Sequence, residues 1–439
     1  MIEDHGNWDI IDKELSDSYK PDKKNKLTLG EVFTPKHIIN KMLDKLPPQV
    51  WHNPHLTWLD PCAGFGNFHI EVYKRLIKNI PHNRVIRQLY FVEINPQSIE
   101  KIKKFFGNHI NIINLDIFKY QPPMKFDIVL GNPPYQKNKV HYGGSGVLYH
   151  KYTSKCLKLL KLCGYLLWII PVGWKRPFIN GVSKGFTGQV FNELKHYHFV
   201  ELDLNYGSIG GKGISEPLKH FPSVDIILLK KTTEKEDTFI RNHWKGTNPT
   251  ASIFISSTMF FLPCYITNHS LRVLNKILLP QENKLDLIKG QHRISWKEEK
   301  YSKTLTNEHI YKHWHFVTKE KVIYAYLKKK MKDTDVPKII MTMQTTRKDG
   351  YFLNPQYIEE KLGVTCNSQY LIKWNNKERC LKFLNSDIVN FFIKITQYST
   401  LMFRMMDNIL LRELSEPDID DFPKYFNLDA HDIALCKLI

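Results

Sequence analysis

Residues 56–68 read LTWLDPCAGFGNF: a short apolar run closed by Asp60, two glycines, and then the start of a helical pattern. A run of this length reads as a buried strand, and Gly64 and Gly66 free the backbone for a tight strand-to-helix turn. In an open parallel sheet such a turn lies at the carboxyl end of a strand, where nucleotide-like ligands bind. A glycine turn also closes many ordinary loops, so its meaning depends on what flanks it.

Downstream, the runs QLYFVEI (88–94), NIINLD (111–116) and FDIVLG (126–131) alternate with helical patterns, one of them extending through Lys104. A helix from about Leu148 to Leu162 follows, then strands at GYLLWIIP (164–171), HFVELDL (198–204) and SVDIILLK (223–230). Seven strands alternating with helices predict a parallel, doubly wound α/β sheet of Rossmann-like type. Upstream, Thr34 is placed to cap a helix with Pro35 at its first position. Ile38, Ile39, Met42, Leu43 and Leu46 follow at helical spacing until Pro47 and Pro48 stop it.

The whole chain has 439 residues, too many for one ordinary core. We expect a polar N-terminal arm over 1–28, the α/β domain over 29–245, and a second domain of mixed α and β structure over 246–439, where the regular alternation stops. Hydrophobic residues make up 42% and aromatic residues 13%, which places the chain among globular proteins. The formal net charge is +19, with basic clusters at 20–26, 101–104 and 328–332, so a polyanion is the expected partner. The seven cysteines are scattered with no CxxC pair, which argues against a disulfide framework or a zinc cluster. The N-terminus MIEDHGNWDI lacks the pattern of a secretory signal, and no stretch approaches a membrane span. A cytoplasmic location, with no membrane partner, is the expectation.

Three carboxylates stand at the ends of the first three strands. Glu93 is placed to accept the hydroxyl hydrogens of a ribose, and Asp116 a hydrogen bond from an adenine amino group, with Ile94 and Ile117 beside the ring faces. The phosphate loop GxxxxGK[ST] is absent, and the acids would repel a triphosphate. An adenosine bearing a cationic group fits better, and S-adenosylmethionine is the expected cofactor.

The fourth strand ends in NPPY, Asn132 to Tyr135. An exocyclic amino nitrogen is a poor nucleophile because its lone pair is delocalised into the ring, and an enzyme must localise that pair and aim it. The Asn132 side chain and the Pro133 carbonyl offer two acceptors for the amino hydrogens. Pro133 and Pro134 stiffen the turn and remove donors, and Tyr135 supplies a ring for a base to stack on.

In this order the motifs resemble the N6-adenine DNA methyltransferases, and within them the type II restriction-modification enzymes of TaqI-like and Eco57I-like kind, whose cofactor motifs precede the catalytic one. The resemblance covers about residues 29–230. GEVFTP (30–35) is similar to their N-terminal cofactor motif, DPCAGFGNF (60–68) to their glycine motif, and ERCLKFLNSDIVNFFIKI (378–395) to a TaqI-like specificity domain. The resemblance implies a site-specific, base-flipping enzyme acting on double-stranded DNA. It implies cofactor contacts from Phe33, Thr34, Pro35, Asp60, Cys62, Gly64, Gly66, Glu93, Ile94, Asp116 and Ile117, and catalysis by Asn132, Pro133, Pro134 and Tyr135. Phe221 becomes the second ring of a base sandwich with Tyr135.

No metal is expected, since the sulfonium is already activated, and HWH (313–315) is read as structural or DNA-facing. The glycine-rich stretch 138–149 is expected to order on DNA with Lys137 and Lys139 near phosphates, and MQTTRKDGYF (343–352) has side chains suited to base edges. With no nuclease pattern found, any cognate restriction endonuclease is expected to be a separate protein. The rival readings are an RNA adenine or protein glutamine methyltransferase, and a degenerate nucleic-acid-binding partner subunit.

Overall fold

The structure, a computed structural model, describes residues 34–135, 148–177, 187–206, 224–243, 248–291, 301–317, 322–342, 344–345, 353–365, 368–396, 404–405 and 408–439. The expectations placed on the N-terminal arm, on Phe33, Phe221, Lys137 and Lys139, on most of 138–149 and on most of 343–352 lie outside the described residues. The chain divides into two compact units, Met1–Leu262 and Pro263–Ile439.

The first unit is a mixed α/β structure built on a nine-stranded sheet. Its elements are α1 (Lys36–Leu43), β1 (Trp58–Asp60), α2 (Asn67–Leu76), α3 (His82–Gln88), β2 (Leu89–Glu93), α4 (Pro96–Phe106), β3 (Asn111–Asn114) and β4 (Phe126–Gly131). Then come α5 (Tyr149–Leu159), β5 (Leu160–Pro171), α6 (Thr187–Leu194), β6 (His198–Tyr206), β7 (Val224–Lys230), β8 (Thr238–Asn242) and β9 (Thr250–Ile253). The strand order is β3-β2-β1-β4-β5-β7-β6-β8-β9. The order reverses between β1 and β4, which makes the carboxyl ends of these two strands the switch point where a ligand crevice opens.

Four features differ from the sequence reading. The sheet is not wholly parallel: β7 runs antiparallel to both β5 and β6. Ile226, Ile227, Leu228 and Leu229 on it are all fully buried, each worth about 1.5–3 kcal/mol. A strand buried on both faces reads as an unbroken apolar run whichever way it points.

Second, α5 ends at Leu159 rather than Leu162. Lys231 Nζ takes the carbonyls of Leu157 and Leu160 at 2.6 and 2.9 Å, closing the helix, and β5 starts at once. Its pairing with β4 then shifts register between Phe126 and Ile128, with Cys163 at φ 59° inside the excursion.

Third, α1 starts at Lys36, with Pro35 rather than Thr34 in the capping position, and it stops at Leu43. The Thr34 hydroxyl is bonded elsewhere, as described below. Leu46 is nevertheless buried, so the apolar face runs past the helix end. Fourth, β8 pairs parallel with β6, and β9 antiparallel with β8, so the sheet continues past the boundary drawn near residue 245 and the unit runs on to Leu262.

Helix α1 is tied down through its C-terminal half. Arg75 on α2 donates to Asn40 Oδ1 at 3.0 Å, Lys41 Nζ donates to Tyr206 Oη at 3.1 Å, and Lys45 Nζ pairs with Asp203 at 2.8 Å and with Glu201.

The second unit mixes helices with short strands. One four-stranded sheet joins β10 (Ile288–Lys289), β18 (Ser368–Leu371), β14 (Lys338–Thr342) and β16 (Gln356–Ile358). Another joins β11 (Tyr301–Ser302), β13 (Val322–Leu327), β12 (Tyr311–Val317) and β17 (Gly363–Val364), while β15 (Gln344–Thr345) pairs with β19 (Arg404–Met405). Trp314, Ile340, Leu362, Val364 and Tyr370 form the core shared by the two larger sheets. The HWH triplet lies on β12, with His313 and Trp314 fully buried and His315 5% exposed, so it is part of this packing. Gly363 lies under the His313 ring, close enough that a Cβ there would sit 1.9 Å from the ring.

The segment 378–395 forms two helices, α8 (Lys377–Leu384) and α9 (Asp387–Ile395), broken at Asn385 where Ser386 caps α9 by accepting from Val389 N–H. Helix α10 (Ala430–Leu438) is fastened to α7 (Asn268–Leu278) by Asp432. Its buried carboxylate accepts from His269, Arg272 and Lys276 at 2.9, 2.7 and 2.6 Å. A buried carboxylate stays charged only when it is paired in this way.

Candidate functional site

Asp60 closes β1 and is 1% exposed. Its Oδ1 accepts from the Cys62 amide at 3.2 Å, while Oδ2 is buried without a hydrogen-bond partner. Burial pushes its pKa up to about 8, the Cys62 hydrogen bond opposing and the nearby Glu93 charge adding to the rise. Gly131, at the end of neighbouring β4, leaves room for this carboxylate: a Cβ there would meet Asp60 Oδ1 at 3.3 Å and Trp168 at 3.2 Å.

Glu93 closes β2 and organises the glycine turn. One carboxylate oxygen accepts from Gly64 N–H at 2.7 Å and the other from Asn95 N–H at 2.8 Å. Gly66 has φ 82°, and a Cβ on it would press within 3.2 Å of Ile102 on α4. Only glycine combines that left-handed turn with that close helix approach.

Asp116 follows β3, half-buried, with Oδ1 accepting from Phe118 N–H at 2.9 Å. Of the two isoleucines expected beside a ring, Ile94 is 54% exposed and Ile117 only 3%. Phe118 and Tyr152, which sequence reasoning missed, meet edge to face at 4.9 Å beside this acid. Cys62 lies in the same turn, its thiol 3.7 Å from the Asn132 carbonyl oxygen and its pKa held well above the usual thiol range by burial. It is therefore a neutral, unreactive wall.

Beyond β4, Asn132 Nδ2 donates to Thr34 Oγ1 at 3.0 Å, and Oδ1 is buried without a hydrogen-bond partner. Pro133 is buried, Pro134 half-buried, and Tyr135 7% exposed. Burial drives the Tyr135 hydroxyl far above the ordinary phenol range, so it stays protonated. The structure thus brings Thr34, Asp60, Cys62, Gly66, Glu93, Gly131 and Asn132 to one end of the sheet.

A second polar cluster at that end was not read from the sequence. Lys175 Nζ lies 2.8 Å from Asp225 Oδ2, both fully buried. The same oxygen accepts from Trp174 Nε1 at 2.7 Å, and Oδ1 accepts from Asn205 N–H at 2.7 Å. These residues follow β5, end β6 and begin β7, and their separation in sequence leaves no local pattern to find.

Similarity to known proteins falls on the same part of the chain. Residues 56–202 match the family model described as Eco57I restriction-modification methylase. Over those residues the chain is similar to that family, and S-adenosylmethionine is the cofactor the similarity implies.

The type II methyltransferase M.VspI of Vibrio sp. (strain 343) is 34% identical over 143 residues, covering 31% of each chain. The modification methylase CviBIII of Paramecium bursaria Chlorella virus NC1A is 29% identical over 159 residues, covering 34% of this chain and 39% of the relative. The matched segment thus spans about a third of the length of these curated relatives. Among solved structures, the type IIL restriction-modification enzyme MmeI in complex with DNA shares the fold. It has a TM-score of 0.52 and 11% identity over 88% of this chain and 68% of that one. Among the described residues no helix is long and apolar enough to cross a membrane.

Proposed function

We propose that the protein is a site-specific DNA methyltransferase that methylates N6 of an adenine extruded from duplex DNA, as the modification component of a restriction-modification system. One observation carries the reading: the Asn132 carboxamide is held by its nitrogen end and presents its oxygen, buried and unpartnered, at the carboxyl end of β4. An amino group is the ligand that such an acceptor suits, and a buried acceptor left unmade costs about 1–3 kcal/mol.

Bound S-adenosylmethionine supplies an activated methyl group. Glu93 and Asp116 would hold its ribose and adenine, Ile94 would cover a ring face, and Thr34, Pro35, Asp60 and the Gly64–Gly66 turn would enclose the rest. The unpartnered Asp60 oxygen and the glycine turn fit a cationic adenosine. Asn132 Oδ1 and the Pro133 carbonyl would take the two amino hydrogens and localise the nitrogen lone pair. Tyr135, its hydroxyl neutral, would stack on the base, with Phe221 as the second ring. The net charge of +19 supplies phosphate contacts that help offset the few kcal/mol of base extrusion.

The test is to incubate the full chain with S-adenosylmethionine and unmethylated duplex DNA, digest to nucleosides, and quantify N6-methyladenine by mass spectrometry, with RNA and a glutamine-bearing protein in parallel. The mark is expected in DNA at a defined sequence. A mark in RNA or protein alone would reassign the acceptor, and none anywhere would reduce the chain to a binding subunit.

Asp60 gives this site a pH signature. Its folded pKa of about 8 stands above the ordinary 3.8, so the neutral acid contributes stability that is full below 3.8 and lost as pH rises through 8. A cation bound beside it favours the charged form instead. Cofactor affinity is therefore expected to climb as pH rises from 6 to 8, by up to about tenfold per unit. Asp60→Asn is expected to flatten that slope while raising the melting temperature of the cofactor-free protein at pH 8; calorimetric titration and melting curves at several pH values read both. A slope that survives in Asp60→Asn would assign the linkage to another group.

A further inference from the structure

A carboxamide is nearly symmetric in shape, and rotation by half a turn exchanges its acceptor for its donor. At Asn132 that choice decides everything the side chain can do for an amino group, because the flipped rotamer would set N–H against N–H. We infer that Thr34 is a positioning residue for methyl transfer, its hydroxyl anchoring the Asn132 carboxamide so that the side chain is held with Oδ1 toward the reacting amino group. The inference rests on the reading of Asn132 given above and deepens it.

The Thr34 oxygen accepts from Asn132 Nδ2 at 3.0 Å, across a separation of 98 residues. Thr34 is 3% exposed, so water does not compete for this bond. The hydroxyl also forgoes the use its position offers: α1 has no side-chain cap, although a threonine at the helix start ordinarily provides one. The next residue, Pro35, has its φ fixed near the observed −59°. Its carbonyl accepts from Ile38 and Ile39 N–H at 2.9 and 3.1 Å. The C-terminal half of the helix that follows is fastened to α2 and to β6 through Arg75, Lys41 and Lys45. Thr34 thus holds the nitrogen end of Asn132 in place while Oδ1 stays without a hydrogen-bond partner.

Thr34→Val keeps the shape and removes the acceptor, whereas Thr34→Ser keeps the acceptor. At saturating S-adenosylmethionine and DNA, Thr34→Val is expected to lower the single-turnover methylation rate about tenfold or more, with Thr34→Ser close to wild type. In 15N-asparagine-labelled protein, the Asn132 side-chain amide protons are expected to lose their exchange protection in Thr34→Val. If Thr34→Val only weakens cofactor binding, and the saturated rate and the amide protection match wild type, Thr34 is a cofactor contact and the inference is overturned. If wild-type protein fails to methylate while the amide result stands, the functional reading fails and the positioning contact does not. Circular dichroism of both variants separates either result from misfolding.

Discussion

Replacing Asn132 by alanine is expected to lower the methyl-transfer rate by about 10²–10³-fold or more while leaving S-adenosylmethionine binding nearly unchanged. Removing one preorganised polar group aimed at a reacting atom typically costs that much, because the group is already oriented and desolvated when the charge shifts. Asn132 meets both conditions, being fastened through Nδ2 to Thr34 and bearing a buried Oδ1. It touches none of the carboxylates that would hold the adenosine, so the loss belongs in the rate and not in cofactor affinity. Single-turnover methylation beside cofactor titration separates the two. A variant that transfers methyl groups at the wild-type rate would remove Asn132 from the chemistry and the central argument with it.

In the second unit the largest effect is expected from a single added methyl group. Gly363→Ala would place a Cβ 1.9 Å from His313 Cδ2 and 2.3 Å from Nε2. The ring has nowhere to go, since it is fully buried and its Nδ1 lies 2.7 Å from the Tyr311 carbonyl. Strand β17 must therefore move off β12, breaking the pairings of His313 with Gly363 and of Trp314 with Val364. Overpacking of a tight core costs about 1–3 kcal/mol and more where backbone must shift, and we expect about 3 kcal/mol or more here. A chain of two units need not unfold in one step, so the readout is local. Hydrogen exchange at Thr365, whose N–H donates to the Trp314 carbonyl at 2.9 Å, should lose about 100-fold in protection. Unchanged protection would mean that the ring yields to the methyl group.

What could be read from the sequence follows from how far apart the interacting residues lie. β1 to β7 each announce themselves by short-range apolar patterning, and the ends of β1, β2 and β4 by Asp60, Glu93 and NPPY. The direction of β7 does not, since Ile226 to Leu229 are buried on both faces and carry no sense of polarity. Thr34 reads as a helix cap because its sequence neighbours fit one, while the partner that wins its hydroxyl is Asn132. The Lys175–Asp225 pair depends on β5 and β7 lying side by side, which only the folded sheet brings about. In the second unit β17 has two residues and pairs with a strand some fifty residues earlier, so no window of sequence contains the information.

The strand order β5-β7-β6 also bears on how the protein is made. Strands β5 and β6 are synthesised before the strand that lies between them. At about 5–20 residues per second, the stretch from Tyr206 to Lys230 takes about one to five seconds to emerge. During that interval the edges of β5 and β6 that later pair with β7 have no partner. The nascent chain is then at its most exposed to aggregation, with the strands of the glycine turn and of NPPY already made. Slower translation lengthens the window, and a chaperone that holds apolar strand edges shortens its consequences.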